Sequence, residues 1–476
     1  MRILVWFHAI PAAMVLEGEG AIVSRGVGQM PMLSQIPIAL RNVVIRPMTR
    51  ADRNVRRLMA FTALFGVING GVITFLPVLL ARLGAPAVVI SLLTSLPALL
   101  TIGIALPAGA IVARWRDMTR SSAYCFYALR LAYPPIAVAM LLDPTIAPYL
   151  IVVIWALTSI PGTLGNTAFY DVVADAVPPQ RRAVINGVRW ALLGMVSAGS
   201  VSLFGQMLVR LSWPANYLAL FGICFVAGLA STFAYSRLEV PLREPQSAPR
   251  ERIALGKRLA MLAHPLRAGT GFGGYSLITF AMRLGLFLPA GIFSVFLVRQ
   301  LQVSDAWIGG RTTLEHGALT LGYFFWGRMA ARVGQAQMLG IAVTAIGFAF
   351  LLLGHATAST LWLVLVAALI SGFFASALDV SLFEWLLEVM PQNERPRYVA
   401  MNTLLMNLVA FAVPIAGAAL AERTSISFVL QLAGACLFGC ALLTYLLTRP
   451  RRRLRPIMPE AMQAQPLEAA LETEQI

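Results

Sequence analysis

Long apolar segments separated by short polar stretches run through most of the chain. A transmembrane helix needs about 20 predominantly apolar residues, and each of these segments is long enough to form one. Twelve such helices are predicted, at about 58–81, 88–112, 121–142, 147–176, 186–209, 214–236, 270–298, 306–326, 335–354, 359–388, 399–420 and 426–447. The pattern therefore predicts an all-α membrane protein with twelve transmembrane helices.

The composition agrees with a chain that is surrounded by lipid. Of the 476 residues, 58% are hydrophobic and only 12% are charged, and the mean hydropathy is +0.76. A soluble domain carries about 25% charged residues. The formal net charge of +16 would suggest a nucleic-acid partner in a soluble protein. Here the positive residues lie between apolar segments, where they set the membrane topology, and no nucleic-acid partner is expected.

Arginines are concentrated in alternate connections between the apolar segments. Basic stretches precede the first segment, join the sixth to the seventh, and follow the last. Because basic residues stay on the cytoplasmic side of a membrane, both termini are predicted to be cytoplasmic. An even number of spans also requires the two termini to lie on one side. The protein is predicted to be a multi-pass membrane protein in the lipid bilayer of a bacterial inner (plasma) membrane.

Polar stretches divide the chain into five parts. These are a cytoplasmic N-terminal segment (1–55), a first six-helix bundle (56–236), a cytoplasmic linker (237–268), a second six-helix bundle (269–448) and a cytoplasmic tail (449–476). Residues 3–15 are apolar but too short to span a bilayer. They could form a signal peptide, but six arginines ahead of the first span favour a retained cytoplasmic N-terminus. Translation that begins later, at Met30 or Met48, stays open as well.

Two sequence patterns each occur twice, about 213 to 218 residues apart. The first pattern is a glycine followed five residues later by an arginine: Gly109 and Arg114, then Gly327 and Arg332. The second is a pair of acids one helical turn apart, followed by a proline and an arginine: Asp171, Asp175 and Arg182, then Glu384, Glu388 and Arg395. A weaker echo places Arg82 and Arg299 at the end of the first span of each half. A duplicated half in a very apolar chain indicates a transporter built from two repeats.

Six spans, a basic linker and six more spans, with the glycine–arginine loop after the second and eighth segments, resemble the major facilitator superfamily over about residues 56–448. The resemblance implies two pseudo-symmetric six-helix bundles that rock about a midplane site. It also implies that segments one, four, seven and ten line a cavity. The chain departs from the family pattern where a loop acid is expected, because Ala113 and Ala331 stand at those positions.

Four carboxylates near the cytoplasmic ends offer a substitute for the missing loop acid. Asp171 and Asp175 point the same way from one helix, as do Glu384 and Glu388. The hypothesis is that they pair with loop arginines when the cytoplasmic side is closed. The candidate gate comprises Gly109, Arg114, Asp171, Asp175, Arg182, Gly327, Arg332, Glu384, Glu388 and Arg395. The alternative is that these acids are solvated charges at helix ends.

Ionisable residues inside a span are candidate site residues, because a charge in lipid is unfavourable. A rise of about 1.5 Å per residue places Arg283, Glu315 and Asp379 near the midplane. Arg283 is expected to pair with Asp379 or Glu315, either for transport or to fix helix packing. Three further candidates are His316 beside Glu315, Asn166 at the repeat position of Asp379, and Asn69 in the first segment. Arg311, one turn before Glu315, can pair with it.

The predicted function is secondary transport of a small molecule by alternating access. Proton coupling is an additional hypothesis, because a buried carboxyl can carry a proton. Export is favoured over uptake, because the predicted lining is apolar and aromatic. The alternative is a non-transporting receptor or scaffold on the same fold. An enzyme is not expected, since paired-histidine metal spacing and a nucleophile elbow are both missing from the sequence.

No metal or cofactor site is predicted. ATP drive is not expected, because the chain carries no Gly-Lys-Ser/Thr phosphate loop. The four cysteines lie inside apolar segments and are expected to be free packing residues: Cys125, Cys224, Cys436 and Cys440. The predicted partners are therefore a small-molecule substrate, the lipid bilayer and protons, and a monomer is expected.

Overall fold

The structure is a computed structural model that describes residues 49–244, 264–267, 269–391 and 394–448. The described residues form helices and connecting turns, with no strand among them. Three sequence predictions lie outside the described residues: the nature of residues 3–15 with the start at Met30 or Met48, most of the 237–268 linker, and the 449–476 tail.

Twelve helical passes follow one another along the described chain. In the first half they are α1 (Arg50–Arg82), α2 (Ala87–Val112), α3 (Met118–Arg130 and Tyr133–Ala139), α4 (Ala147–Ala176), α5 (Arg182–Arg210) and α6 (Ala215–Ser236). In the second half α7 comprises Phe272–Phe287, Phe293–Val295 and a π-helical turn, Phe296–Gln300. It is followed by α8 (Asp305–Val333), α9 (Gln335–Gly354), α10 (Leu361–Val389), α11 (Arg395–Arg423) and α12 (Ile426–Thr448). The predicted all-α membrane fold is confirmed.

Nine of the helices in the described residues are long and apolar enough to cross a membrane. The other three passes, α3, α7 and α8, fall short for identifiable reasons. The helix of α3 is interrupted after Arg130 and resumes at Tyr133, directly before two prolines. The helix of α7 is interrupted near Pro289, which lacks the N–H that a helix interior needs. Polar and charged residues, including Arg311 and Glu315, lower the hydropathy of α8.

Successive passes alternate in direction, so α1 begins and α12 ends on the same face of the bundle. We call this face the terminal side and the opposite face the distal side. A capping box begins α1: the Asp52 N–H donates to the Thr49 Oγ1 and the Thr49 N–H donates to the Asp52 carboxylate, each over 3.2 Å. Such reciprocal bonds satisfy N–H groups that a helix start otherwise leaves unpaired.

On the distal side the two halves share a single hydrophobic core. Side chains of both halves belong to one buried cluster, which includes Phe75, Phe204, Phe296 and Ile308. Toward the terminal side three separate clusters each draw on one half alone. One contains Leu58, Phe61, Val172 and Tyr235 of the first half; the other two contain Met282, Trp326 and Leu437, and Phe272, Tyr275 and Tyr398, of the second. The halves therefore pack together distally and have independent cores terminally.

Two helix pairs carry most of the contact between halves, α5 with α8 and α2 with α11, and the distal ends of α1 and α7 add a smaller one. The α5–α8 crossing is formed by Gly205 and Gly309. A Cβ atom on Gly309 would lie 2.8 Å from the Val201 carbonyl oxygen, and one on Gly205 would lie 2.8 Å from the Asp305 carbonyl oxygen. Glycine is required at both positions because the two backbones leave no room for a side chain.

Candidate functional site

The acid of α8 is paired with an arginine of the same helix. The Arg311 Nη1 lies 2.6 Å from the Glu315 Oε2, and the two side chains are 9% and 29% exposed. The Arg311 guanidinium also lies over the Phe293 ring of α7, 4.9 Å from its centroid. Its Nε is buried and has no hydrogen-bond partner within the part of the chain that the structure describes. Glu315 thus has a fixed counter-charge one helical turn away.

The acid of α10 is held by a tyrosine of α8. The Tyr323 hydroxyl donates to the Asp379 carboxylate over 2.5 Å, and Asp379 itself remains exposed. Tyr323 and Asp379 are 56 residues apart in sequence, so the bond depends on how α8 packs against α10. Sequence analysis did not include Tyr323 among the site residues, since nothing in the local sequence distinguishes it from other aromatic residues.

Arg283 does not form either of the ion pairs expected for it. It is buried on α7, 8% exposed, but within the described residues it makes no salt bridge with Asp379 or Glu315. The prediction was wrong for a geometric reason. Counting residues gives the height of a side chain along a helix, but it does not give the direction in which neighbouring helices turn it.

The remaining midplane candidates are dispersed. His316 keeps its Nδ1 2.9 Å from the Thr312 carbonyl oxygen of its own helix. Asn69 begins a π-helical turn of α1, Asn69–Ile73, and donates to the Ser197 hydroxyl of α5 over 3.1 Å. Asn166 is exposed on α4. A π-helical turn is often found at functional positions, but these three side chains do not converge on one another.

Two further arginines inside the first half pack on aromatic rings. Arg130 donates to the Tyr133 hydroxyl over 2.8 Å and lies 5.5 Å from the centroid of Phe65. Arg189 of α5 lies 5.0 Å from the centroid of Phe169 on α4. Cation–π contacts are stronger where the cation is shielded from water. These contacts give Arg130 and Arg189 a role in packing the first half.

On the terminal side, the two acids of α4 bind an arginine that sequence analysis did not choose. Arg243, which follows α6, donates from Nη1 to Asp171 over 3.2 Å and from Nη2 to Asp175 over 2.7 Å. These carboxylates hold the pKa of the Arg243 guanidinium above its usual value, with the Asp175 hydrogen bond as the main cause. Arg182, an expected partner, instead donates to the Ala174 and Val177 carbonyl oxygens.

The other candidate gate residues form no ion pair with one another within the part of the chain that the structure describes. Gly109, Arg114, Gly327, Arg332, Glu384 and Glu388 are exposed. Arg395 begins α11, and its side chain lies outside the described residues. Within the described ranges, the ion pair that joins the two halves is Arg82–Asp305, on the distal side. The proposed pairing of the acids across a closed terminal side stays a prediction.

The chain that follows α6 is also fastened to α1. Glu239 accepts hydrogen bonds from Arg53 over 2.9 Å and from Arg57 over 2.8 Å. These bonds, that of Arg53 first, lower the pKa of Glu239 to about 2. Asn54 donates to the Glu239 carbonyl oxygen over 3.0 Å, and its own amide oxygen accepts from the Glu239 N–H over 2.9 Å. The first residues of the 237–268 region are thus bound to the first half.

On the distal side, two arginines cross between the halves. Arg82 of α1 donates to the Val303 carbonyl oxygen over 2.7 Å and to the Asp305 carboxylate over 3.1 Å. Arg299 of α7 donates to the carbonyl oxygens of Ala81 over 3.0 Å and Ala85 over 2.6 Å. Sequence analysis identified these two arginines only as an echo between the repeats.

The chain was compared with known families, proteins and structures. A family model described as Major Facilitator Superfamily matches residues 275–472. No curated protein sequence matches the chain.

Three solved transporter structures share its fold. The nucleoside transporter NupG is 14% identical, with a TM-score of 0.60 over 84% of this chain and 100% of NupG. A bacterial homologue of the iron transporter ferroportin in an inward-facing state is 13% identical, with a TM-score of 0.63 over 83% of this chain and 98% of its own. The human organic anion transporter MFSD10 (TETRAN) is 14% identical, with a TM-score of 0.57 over 83% of this chain and 100% of its own.

At these identities the likeness is one of fold. The family model matches the second repeat, and the fold of these transporters extends over both halves of the chain. Residues 275–472 thus match the Major Facilitator Superfamily model, and the chain shares the fold of these membrane transporters over 84% of its length.

Proposed function

We propose that this protein is a secondary transporter that moves a small molecule by alternating access. The supporting observation is the asymmetry of its core: the two halves share one apolar cluster on the distal side and have separate clusters on the terminal side. Basic residues are concentrated on the terminal side, so by the positive-inside rule that side is cytoplasmic. The conformation described here is then the inward-open one, in which substrate exchanges with the cytoplasm.

Glu315 and Asp379 are the residues that we propose for proton coupling. Each is an acid inside a membrane-spanning helix, and each has one close partner, Arg311 or Tyr323. Burial in a medium of low polarity favours the neutral acid, whereas a nearby cation favours the carboxylate. A conformational change that separates an acid from its partner would therefore change its proton occupancy. This exchange of protons supplies the driving force for export of an apolar or amphipathic substrate.

The test is flux in proteoliposomes. A counterflow screen against a compound library identifies a substrate, and a pH gradient then measures accumulation. Glu315→Gln or Asp379→Asn is expected to abolish accumulation but preserve exchange, because exchange needs no net protonation cycle. Glu422→Gln, an exposed residue near the distal end of α11, is the matched control. Normal accumulation by both variants would contradict proton coupling, and binding without flux would favour a receptor.

The orientation has a separate test. In a cysteine-free variant, Ser359→Cys on the distal side should react with an impermeant thiol reagent applied to intact cells. Ser247→Cys in the linker should react only after the membrane is permeabilised. Reaction of Ser247→Cys on intact cells would reverse the proposed topology.

A further inference from the structure

The two arginines that cross between halves are related by the internal repeat. Arg82 is the last residue of α1, and Arg299 lies in the π-helical turn that ends α7. The two positions are 217 residues apart, within the repeat offset. Each donates hydrogen bonds to the half to which it does not belong. The contact is therefore reciprocal, as expected for equivalent residues across a pseudo-two-fold axis.

Both guanidinium groups bind carbonyl oxygens at or just beyond a helix end. The last carbonyl groups of a helix have no partner within the helix and carry its partial negative charge. Arg299 binds one of these, on Ala81 in the last turn of α1, and also the Ala85 carbonyl three residues beyond the end of the helix. Arg82 binds the Val303 carbonyl just after the end of α7, together with Asp305 at the start of α8. Each arginine thus stabilises the chain at the end of the opposite first helix.

The backbone at the two helix ends is also matched. Gly84 follows Arg82 by two residues and has a φ of 85°, and Gln302 follows Arg299 by three and has a φ of 53°. A left-handed residue at this position ends a helix and lets the following N–H groups bond to carbonyl groups of the last turn, as the Ala85 N–H does to the Leu80 oxygen over 3.0 Å and the Val303 N–H to the Leu297 oxygen over 3.1 Å. Glycine adopts it freely, whereas glutamine does so at some cost. In both halves the residue directly after the left-handed one, Ala85 or Val303, gives its carbonyl oxygen to the opposite arginine.

We propose that Arg82 and Arg299 form a reciprocal latch that holds the distal side closed, and that both sets of bonds must break before the distal side opens. The side chains of Arg82 and Asp305 are 34% and 12% exposed, so water only partly competes for these bonds. The bonds link the two halves at their distal edge, so a rocking motion that separates the halves there must separate donor from acceptor. This inference rests on the proposed alternating-access function.

The latch can be tested by distances between spin labels on the distal loops. Asp143→Cys and Ser359→Cys, in a cysteine-free background, place one label on the exposed loop of each half. Charge-assisted hydrogen bonds are among the stronger ones in proteins. Arg82→Gln and Arg299→Gln are each expected to raise the distal-open population about tenfold, and the double variant more. Arg210→Gln, an exposed arginine at the distal end of α5, should leave the distances unchanged.

Three further variants keep the test decisive. If a glutamine variant does not fold, Arg82→Lys and Arg299→Lys retain the charge but lose the forked geometry, and a smaller opening is expected. Arg82→Asp combined with Asp305→Arg should return the distances toward those of the parent. Unchanged distances in the glutamine or lysine variants, or an equal change in Arg210→Gln, would overturn the latch. The distances are measured without substrate, so they do not depend on transport. If a latch variant opens the distal side but the parent protein shows no flux, only the transport proposal is contradicted.

Discussion

The phenol of Tyr323 donates a 2.5 Å hydrogen bond to the carboxylate of Asp379 and so joins α8 to α10 inside the second half. Tyr323→Phe removes this donor and leaves the ring in place. A hydrogen bond to a charged group contributes about 1.5–3 kcal/mol, so pH-driven accumulation should fall at least about tenfold while exchange is less affected. The measurement is initial-rate flux in proteoliposomes. Tyr149→Phe, at an exposed position of α4, should behave like the parent protein.

Double-mutant cycles on the free energy of unfolding can show whether Arg311 or Arg283 is the counter-charge of Glu315. Arg311→Gln leaves Glu315 without its partner at 2.6 Å and should destabilise the protein by about 3 kcal/mol, as expected for a broken buried pair. Adding Glu315→Gln should recover much of this loss. The same cycle with Arg283→Gln should be additive, because residues without shared contacts do not couple. A large coupling between Arg283 and Glu315 would contradict the arrangement seen here.

The α5–α8 crossing should tolerate substitution at one glycine but not at its neighbour. A Cβ on Gly309 would lie 2.8 Å from the Val201 carbonyl oxygen, whereas nothing lies within 4 Å of a Cβ on Gly310. Gly309→Ala is expected to push the distal ends of the halves apart, at a cost of about 1–3 kcal/mol to the closed state. Gly310→Ala should have no such effect. The distal spin-label distances report the difference, and equal behaviour of the two variants would contradict a close crossing.

The attachment of Glu239 to α1 should persist well below neutral pH. Its pKa is lowered from 4.5 to about 2, so the contribution of this carboxylate to stability is fully present above the ordinary pKa. It is lost only as the pH falls through about 2. Protection of the backbone at 237–244 against hydrogen exchange, relative to the unstructured chain at the same pH, should therefore be similar at pH 7 and pH 5. Glu239→Gln should reduce this protection at both, whereas Glu244→Gln should not. Loss of protection in the parent at pH 5 would contradict the attachment.

Arg243 should control the terminal side through the acids that it occupies. Arg243→Gln frees Asp171 and Asp175 for the arginines of the other half. If the acids close the terminal side as the repeat pattern predicts, spin-label distances across that side should shorten, with an expected shift of about 1–3 kcal/mol. The adjacent exposed residue Glu244 provides the control, as Glu244→Gln. Lengthened or unchanged distances would support the alternative that these acids are solvated charges at helix ends.

The sequence was sufficient for features that depend on one helix at a time. Each span follows from an apolar run, and the pairing of Arg311 with Glu315 follows from a separation of one helical turn. Contacts between helices could not be predicted from the sequence. The partners of Asp379 and Asp175 lie on other elements, 56 and 68 residues away. Their contact depends on the rotation of each helix about its axis, which long apolar segments specify weakly because nearly every face is apolar.

The close crossing of α5 and α8 has a mechanical consequence. Side chains that interdigitate make helices move in steps, because packed surfaces switch between discrete arrangements. At Gly205 and Gly309 the two backbones meet directly, and there are no side chains to disengage. One half can therefore rotate against the other at this crossing through intermediate angles. The bonds between the halves at the distal and terminal sides would then set the discrete steps of the motion, and the crossing itself would offer little resistance.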